Sequence, residues 1–252
     1  MNSVPKTAGV IIIGNEILSG RTQDANLAHI ANKLEQLGII LSEALVIPDV
    51  EEIIIEKVTD YSQRFDYVFT TGGIGPTHDD ITAASIARAF NKKLVRNPEA
   101  VACMERYYDP GQLTEARLRM ANMPEDAYLI DNPVSGVPGF QIENVFVLAG
   151  VPNIMQGMLD GLAGKLTGGI PILTASVSTN LTESRIAEGM GKIQELANDV
   201  SIGSYPYFKH GELGVNVVLR STDKPLLLKQ HGLIVELIKD TGGKVFDIII
   251  PD

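Results

Sequence analysis

A glycine-rich segment with two aspartates at its far end, residues 70–82, combines residue types suited to phosphate binding. Its sequence is TTGGIGPTHDDIT, and it follows a short apolar run. Glycine lets a backbone adopt positive φ and approach a ligand closely, and the N–H groups that it leaves exposed can surround an anion. Thr82 is predicted to cap a helix whose positive end points back at this loop. We therefore predict a phosphate cradle at Gly72, Gly73 and Gly75, although the segment has neither the P-loop nor the dinucleotide-binding glycine pattern.

The adjacent Asp79 and Asp80 would repel a phosphate unless a cation lay between them. Mg²⁺ takes oxygen ligands from one or two carboxylates and from phosphates, and it can polarise a phosphoryl group or acidify a water molecule. The alternative is that both aspartates stabilise the start of the helix at residue 82. Beside three glycines, we predict instead that Asp79 and Asp80 bind Mg²⁺ or another divalent cation such as Mn²⁺ or Co²⁺.

A second loop, residues 14–26, follows the first apolar run and has the sequence GNEILSGRTQDAN. Glu16 is a candidate ligand or base, and a salt bridge is an equally good interpretation of it. Asp24 and Asn26 could cap the helix that follows, which is the interpretation we favour for Asp24. The residues of this loop that we assign to the site are Gly14, Glu16, Ser19, Gly20 and Asn26.

Short apolar runs alternate with amphipathic helical patterns from residue 8 to residue 166, which predicts an α/β fold with a mostly parallel sheet and helices on both faces. Loops at the carboxyl ends of such strands form ligand sites, so the two loops are expected to meet. The predicted strands lie at 8–13, 41–47, 66–71, 128–132 and 144–150. The predicted helices lie at 26–37, 51–61, 82–90, 100–108, 113–123 and 151–166.

The order of elements changes after TGGIP at 167–171, which we interpret as a hinge. The remaining segment is predicted as β-α-β-β-α-β, the order of a small ferredoxin-like α+β domain. Its predicted strands lie at 172–178, 200–208, 213–221 and 244–250, and its helices at 183–198 and 224–240. We therefore predict two domains, 1–167 and 168–252.

Composition and charge argue against several classes of function. The chain has 252 residues and a net charge of −10 without a basic stripe, which disfavours nucleic acid as a partner. We expect no signal peptide, because no cationic start precedes a long apolar core, and no apolar run is long enough to cross a bilayer. The single cysteine, Cys103, fits a reducing compartment. We expect a cytoplasmic protein that binds neither nucleic acid nor membranes.

Several motifs together resemble one known family. GNEILSG, TTGGIGPTHDDIT, NPVSGVPGF and LAGVP are similar to motifs of the molybdopterin-binding domain in the competence/damage-inducible protein A family. ENVFVLAGVPNIMQGMLDG is similar to the corresponding domain of eukaryotic FAD synthetases. The resemblance covers essentially the whole chain and implies a three-layer α/β/α first domain followed by a small α/β module. It also implies divalent-metal-dependent hydrolysis of a nucleotide pyrophosphate bond, with ADP-ribose or FAD as substrate.

The resemblance also assigns roles to residues. In the related molybdopterin adenylyltransferases, aspartates occupy the positions of Asp49 and Asp80, which favours a site role for Asp49 over a helix cap. We therefore expect Glu16, Asp49 and Asp80 to be catalytic. The chain ends at Asp252 without the deamidase or synthetase domain of family members, so neither of those activities is expected. Further ligand contacts are expected, from the matching motifs, at Thr71, Thr77, Pro138, Gly139, Gly150 and Pro152.

Two other functions are compatible with the same residues. The cradle could bind a molybdopterin-like or nucleotide ligand without turnover, or the protein could adenylylate molybdopterin. In each case the partner is a small phosphorylated nucleotide or pterin. We also expect a homo-oligomer, with the ferredoxin-like module as an oligomer-forming or lid element.

Overall fold

The structure is a computed structural model that describes residues 6–209 and 212–251. The chain divides into two units, Met1–Gly169 and Ile170–Asp252. The strands of the first unit are β1 (Lys6–Ile13), β2 (Ile39–Ile47), β3 (Tyr67–Thr71), β4 (Leu94–Arg96), β5 (Asn122–Pro124), β6 (Tyr128–Ile130), β7 (Gly139–Ile142) and β8 (Val145–Leu148). Its α-helices are α1 (Asn15–Leu18), α2 (Asn26–Gln36), α3 (Glu51–Arg64), α4 (Thr82–Ala89), α5 (Pro98–Tyr107), α6 (Glu115–Leu118) and α7 (Pro152–Leu162).

Six strands of the first unit form one sheet in the order β2-β1-β3-β8-β7-β6. The neighbours β1–β2, β1–β3 and β3–β8 are parallel, whereas β7 pairs antiparallel with both β8 and β6. The short strands β4 and β5 form a separate antiparallel pair. The predicted mostly parallel sheet is confirmed, and its antiparallel strands lie at one edge.

Helices cover both faces of this sheet because β1 is apolar on both sides. Ile11 and Ile13 pack in one buried cluster with residues of α3, α4 and α5. Val10 and Ile12 pack in a second cluster with residues of α2 and α7. A strand buried on both faces is typical of a parallel sheet between two helical layers, so the three-layer prediction is confirmed.

The helix predicted at 113–123 is confirmed only in part. This segment contains α6, a single 3₁₀ turn at Arg119–Ala121 and then β5. Pro124 disfavours the helical conformation at Met123, and residues 122–124 pair instead with β4. The break matters for the site, because it places the short helix α6 beside the carboxyl edge of the sheet.

The strands β4, β5 and β7 and the short helix α1 were not predicted. β7 lies at the end of the Pro/Gly-rich segment 133–140 and forms a hairpin with β8, turning at Glu143 with φ of 49°. The hairpin also shortens the strand predicted at 144–150. The single turn α1 lies inside loop 14–26, where the glycines had suggested irregular structure.

The second unit consists of β9 (Leu173–Thr179), α8 (Glu183–Glu195), β10 (Ser201–Lys209), β11 (Glu212–Ser221), α9 (Lys224–Asp240) and β12 (Val245–Ile249). Its sheet has the order β10-β11-β9-β12, and all neighbours are antiparallel. Both helices contribute to one apolar cluster with this sheet. The predicted ferredoxin-like arrangement is confirmed. Its longest helix, α9, has 17 residues, and no helix of the described residues is long and apolar enough to cross a membrane.

Candidate functional site

The carboxyl ends of β1, β3 and β8 lie side by side at one edge of the large sheet. A cavity of about 650 Å³ opens there, a volume usual for small-molecule sites. The loops after all three strands contribute to its wall, as expected for an open parallel sheet. The sequence-predicted residues that line it are Glu16, Gly72, Gly73, Gly75, Asp80, Gly150 and Pro152.

The loop after β3 has a backbone that only glycine adopts readily. Gly72 and Gly73 have φ of 100° and 68°. A Cβ atom on Gly72 would lie 2.2 Å from the carbonyl oxygen of Ile13, and one on Gly73 would lie 2.1 Å from Oγ1 of Thr82. Neither position has room for a side chain. The loop is therefore held closely against the end of β1 and the start of α4.

Three consecutive N–H groups of this loop are available to a ligand. Those of Gly73, Ile74 and Gly75 donate to no acceptor among the residues that the structure describes, and all three residues line the cavity. Backbone N–H groups without a partner are uncommon in folded proteins unless water or a ligand reaches them. An anion in the cavity would accept from them, which is the arrangement that a phosphate cradle requires.

Asp80 lines the cavity directly beside this loop. Its Oδ2 accepts hydrogen bonds from the backbone N–H and the hydroxyl of Thr77, at 2.8 and 2.5 Å. A Cβ atom on Gly75 would lie 2.6 Å from the same oxygen, so the carboxylate lies against the loop backbone. Its Oδ1 accepts from no donor within the described part of the chain. One oxygen of Asp80 is therefore held in place, and the other is left for a ligand.

Helix α4 begins without a side-chain cap, so the prediction that Thr82 caps it is wrong. Ile81 holds the cap position, and Thr82 is the first helical residue. The Thr82 side chain is fully buried because it packs against Gly73, whose carbonyl oxygen accepts the Thr82 N–H at 3.0 Å. Neither Asp79 nor Asp80 accepts a hydrogen bond from the first turn of α4, so the helix-cap interpretation of the pair does not describe their contacts.

Asp79 lies outside the cavity lining, and 67% of its side chain is exposed. Its Oδ1 is 3.9 Å from Nδ1 of His78. The nearby hydroxyl of Thr77, the backbone N–H of Asp79 itself and His78 lower the pKa of Asp79 from its ordinary value, although the hydrogen bond of that hydroxyl goes to Asp80. Asp79 is therefore ionised at neutral pH, one residue away from the carboxylate that lines the cavity.

The cavity offers a divalent cation two carboxylates rather than a complete set of ligands. Glu16 and Asp80 both line it. Within residues 6–209 and 212–251, no three His, Cys, Asp or Glu side chains are grouped so as to hold a metal ion. Mg²⁺ commonly binds through one or two carboxylates and completes its shell with water and substrate phosphates. The residues present therefore fit a cation that binds together with a phosphorylated ligand.

Asp49 attaches the loop after β1 to the end of β2. Its Oδ2 accepts the backbone N–H of Asn15 at 2.8 Å. Helix α3 begins after Val50 without a side-chain cap, so Asp49 does not have the helix-cap role. Asp49 is also absent from the cavity lining, and its contact fixes the turn that carries Glu16.

Asn26 and Thr71 line a second, smaller cavity of about 60 Å³ beneath the same loops. Asn26 is only 4% exposed and donates from Nδ2 to the carbonyl oxygen of Gly150 at 2.8 Å. Its Oδ1 and the hydroxyl of Thr71 are buried without a partner. A polar space of this size has room for water or for a polar group of a ligand. Asp24 does not hold the cap position of α2, which is Ala25, but its carboxylate accepts the N–H groups of Asn26 and Leu27 in the first turn of this helix.

Comparison with known proteins identifies the family. Residues 9–168 match the family described as "Probable molybdopterin binding domain", and residues 171–241 match "FAD synthase, middle domain". The crystal structure of CinA from Thermoplasma acidophilum aligns with a TM-score of 0.60 and 34% identity, over 65% of this chain and 99% of that one. The chain belongs to the CinA family.

Longer and shorter relatives both support this assignment to the CinA family. A CinA-like protein of Desulfosudis oleivorans is 37% identical over 250 residues, which are 94% of this chain but only 60% of that relative. A protein of Archaeoglobus fulgidus is 36% identical over 231 residues, which cover 92% of this chain and 97% of that protein. The resemblance stated from the sequence motifs is confirmed.

Several predicted site residues of this CinA-family chain lie away from the cavity lining. Ser19 is exposed and bonds the carbonyl oxygen of Glu16, and Gly20 lies in open space with φ of 71°. Pro138 and Gly139 are buried, and a Cβ atom on Gly139 would lie 2.3 Å from the carbonyl oxygen of Val147. These glycines and the proline shape the backbone rather than the ligand surface.

Two further predicted residues support the carboxylates from outside the lining. A Cβ atom on Gly14 would lie 2.5 Å from Oε1 of Glu16, so glycine at this position leaves room for that carboxylate. The N–H of Gly14 also donates to the carbonyl oxygen of Ile47 at 3.1 Å. Thr77 is exposed and makes the two hydrogen bonds to Asp80 described above.

Residues that the sequence did not assign to the site also contribute to the cavity wall. Tyr108, Arg117 and Asn132 all line the cavity. Asn132 organises its turn, because its Nδ2 donates to the carbonyl oxygen of Val137 at 2.7 Å and its Oδ1 accepts from the N–H of Ser135. In the sequence, Arg117 lay in a predicted helix, where a solvent-exposed face is the default and contact with an anion is the alternative, and the sequence did not decide between them. The structure places it in α6, in the lining of the cavity.

Proposed function

We propose that this CinA-family chain hydrolyses the pyrophosphate bond of a nucleotide such as ADP-ribose or FAD with the help of a divalent cation. One observation carries the proposal: three unpaired N–H groups and two carboxylates line the same cavity. N–H groups select an anion, whereas carboxylates repel an anion and bind a cation that accompanies it. A diphosphate with a bound cation satisfies both sets of groups.

Each group then has a separate part in the reaction. The N–H groups of Gly73, Ile74 and Gly75 hold phosphate oxygens, and Asp80 holds the cation through its free Oδ1. When bound, the cation polarises the phosphoryl group. Glu16 orients the attacking water and accepts its proton. Asp79 adds a second negative charge beside Asp80, from outside the lining.

Asp49 is a positioning residue in this scheme, because it holds Asn15 and thereby the turn that carries Glu16. The reaction itself is a displacement at phosphorus. The water oxygen forms a bond to one phosphorus atom, the bridging P–O bond breaks, and the departing phosphate keeps the bridging oxygen. With ADP-ribose the products are AMP and ribose 5-phosphate.

The direct test is AMP release from ADP-ribose and from FAD by the purified protein with Mg²⁺, Mn²⁺ or Co²⁺. We expect release with at least one of these metals and none after EDTA treatment. Product formation that persists in EDTA, or no product with any metal, would contradict the proposal. Omitting the protein controls for metal-promoted hydrolysis.

Replacing Gly75 with Ala tests the placement of Asp80 without removing its charge. The new Cβ atom would lie 2.6 Å from Oδ2, so the carboxylate must move. A displacement of about 1 Å in a catalytic group commonly costs roughly 10- to 100-fold in rate, and we expect a loss of that size in kcat/KM. Gly161→Ala is the matched control, because nothing lies within 4 Å of that position. Unchanged activity in Gly75→Ala, with thermal melting showing an intact fold, would mean that Asp80 needs no fixed position.

A ligand-binding protein without turnover is the second candidate. It is favoured by the lack of a complete metal-ligand set among the described residues and by the buried, unpaired Oδ1 of Asn26. Under this alternative, a phosphorylated pterin or nucleotide would occupy both cavities without reacting. Tight binding of an intact nucleotide, with no products after prolonged incubation with metals, would select it.

A further inference from the structure

The part of the large cavity's wall formed by α6 carries a positive charge without an ion-pair partner among the described residues. Arg117 is the one cationic side chain among the described residues that line the cavity. The other charged side chains in the lining are Glu16 and Asp80. The cavity therefore has acidic groups on loops that follow the parallel strands and one basic group on the short helix α6.

The guanidinium of Arg117 is held from two directions. Its Cζ lies 4.6 Å from the centroid of the Tyr108 ring, a distance typical of a cation–π contact. Its Nη1 donates to the carbonyl oxygen of Gln112 at 2.8 Å. No carboxylate forms an ion pair with it in the described part of the chain, and its Nη2 and Nε donate to no described acceptor. Two donors of a fixed, charged group are therefore left for a ligand.

Tyr108 is itself fixed beside the cavity. Its N–H donates to the carbonyl oxygen of Met104 at the end of α5, and its ring packs edge-on against Tyr107 at 5.5 Å. The hydroxyl of Tyr107 donates to the carbonyl oxygen of Val134 at 2.7 Å. A Cβ atom on Gly136 would lie 2.3 Å from Tyr107, so this turn packs closely on the aromatic pair. The aromatic support of Arg117 is thus tied to the turn that lines the cavity.

We infer that Arg117 is the specificity-determining residue that binds a phosphate of the ligand from the part of the cavity wall formed by α6. A planar guanidinium with two free donors matches phosphate oxygens in geometry as well as in charge. Arg117 also offsets the repulsion that Glu16 and Asp80 exert on an anion. The protein consequently retains affinity for a phosphorylated nucleotide when no divalent cation is present. This inference rests on the proposed function for the identity of the ligand.

The test is equilibrium binding in EDTA, measured by titration calorimetry with ADP-ribose and with adenosine. We expect the wild-type protein to bind ADP-ribose more tightly than adenosine. Hydrogen bonds to charged groups contribute about 1.5–3 kcal/mol, so Arg117→Gln should weaken ADP-ribose binding by roughly 10- to 100-fold and remove most of this preference. Arg117→Lys keeps the charge but not the planar fork, and we expect it to restore only part of the affinity.

Two further comparisons separate this role from general effects of charge or folding. Arg119 is exposed, lies two residues away and is not part of the lining, so Arg119→Gln should bind ADP-ribose like the wild type. Tyr108→Leu, which removes the ring that supports Arg117, should lose part of the ADP-ribose affinity. Matched melting temperatures would establish that all variants are folded.

The inference is overturned if Arg117→Gln binds ADP-ribose as tightly as the wild type does. It is also overturned if this variant loses as much affinity for adenosine as for ADP-ribose, or if the wild type binds the two compounds equally well. These outcomes are distinct from a failure of the hydrolase proposal. Binding in EDTA requires no turnover, so a protein that never releases AMP still reports on Arg117.

Discussion

Replacing Asp80 with Asn is expected to lower kcat for pyrophosphate hydrolysis by about 100- to 1000-fold, the usual cost of losing one preorganised electrostatic group. The amide is almost isosteric with the carboxylate, and its oxygen can still accept both hydrogen bonds from Thr77. The loop should therefore keep its conformation while losing the negative charge that holds the cation. Steady-state kinetics at saturating metal, together with thermal melting, measures the effect.

Asp79→Asn is the matched control for this variant. It removes the same charge one residue away, from a side chain that is exposed and outside the cavity lining. We expect a much smaller loss of kcat, because a charge in water is screened over short distances. Equal losses in the two variants, or a larger loss in Asp79→Asn, would place the cation on the outer side of the loop. Tighter nucleotide binding by Asp80→Asn without any wild-type turnover would favour the binding-protein alternative.

The part of the fold that follows from local pattern could be predicted from the sequence. β1 is a continuous apolar run because both of its faces are buried, and α2 places Ile30 and Leu34 on one buried face. Helix α9 has the bounds that its pattern predicts, since Asp223 caps it by accepting the N–H of Leu226. Each of these signals lies within the element that it defines, so no knowledge of the tertiary structure is needed to find it.

The site depends more on contacts between distant residues, which no local pattern contains. Asp49 acts through Asn15, 34 residues away, and Asn26 donates to Gly150, 124 residues away. The motif resemblance pointed to both positions, but the residues alone favoured a helix cap for Asp49. For Arg117 the sequence left a solvent-exposed face and an anion contact both open, because the cavity that it lines is formed by residues far apart in the chain.

Replacing Gly72 with Ala is expected to lower the free energy of unfolding by roughly 3 kcal/mol or more, since left-handed strain of about 1–3 kcal/mol adds to a steric clash. The φ of Gly72 is 100°, and a Cβ atom there would lie 2.2 Å from the carbonyl oxygen of Ile13. That oxygen belongs to the main chain of β1 and cannot rotate away as a side chain could. Denaturant unfolding measures the change.

Gly20→Ala separates strain from clash, because Gly20 has a similar φ of 71° and nothing within 4 Å. It should lose only about 1–2 kcal/mol, the cost of the left-handed conformation alone. If Gly72→Ala lost no more than Gly20→Ala, the end of β3 would be free to move away from β1. The N–H groups of Gly73, Ile74 and Gly75 would then not be preorganised, and the cradle would form only around a bound ligand. We expect Gly72→Ala to lower the free energy of unfolding more than Gly20→Ala does, and to abolish ADP-ribose binding in the protein that remains folded. That result would show that the close contact between β1 and the loop keeps the three N–H donors directed at the ligand.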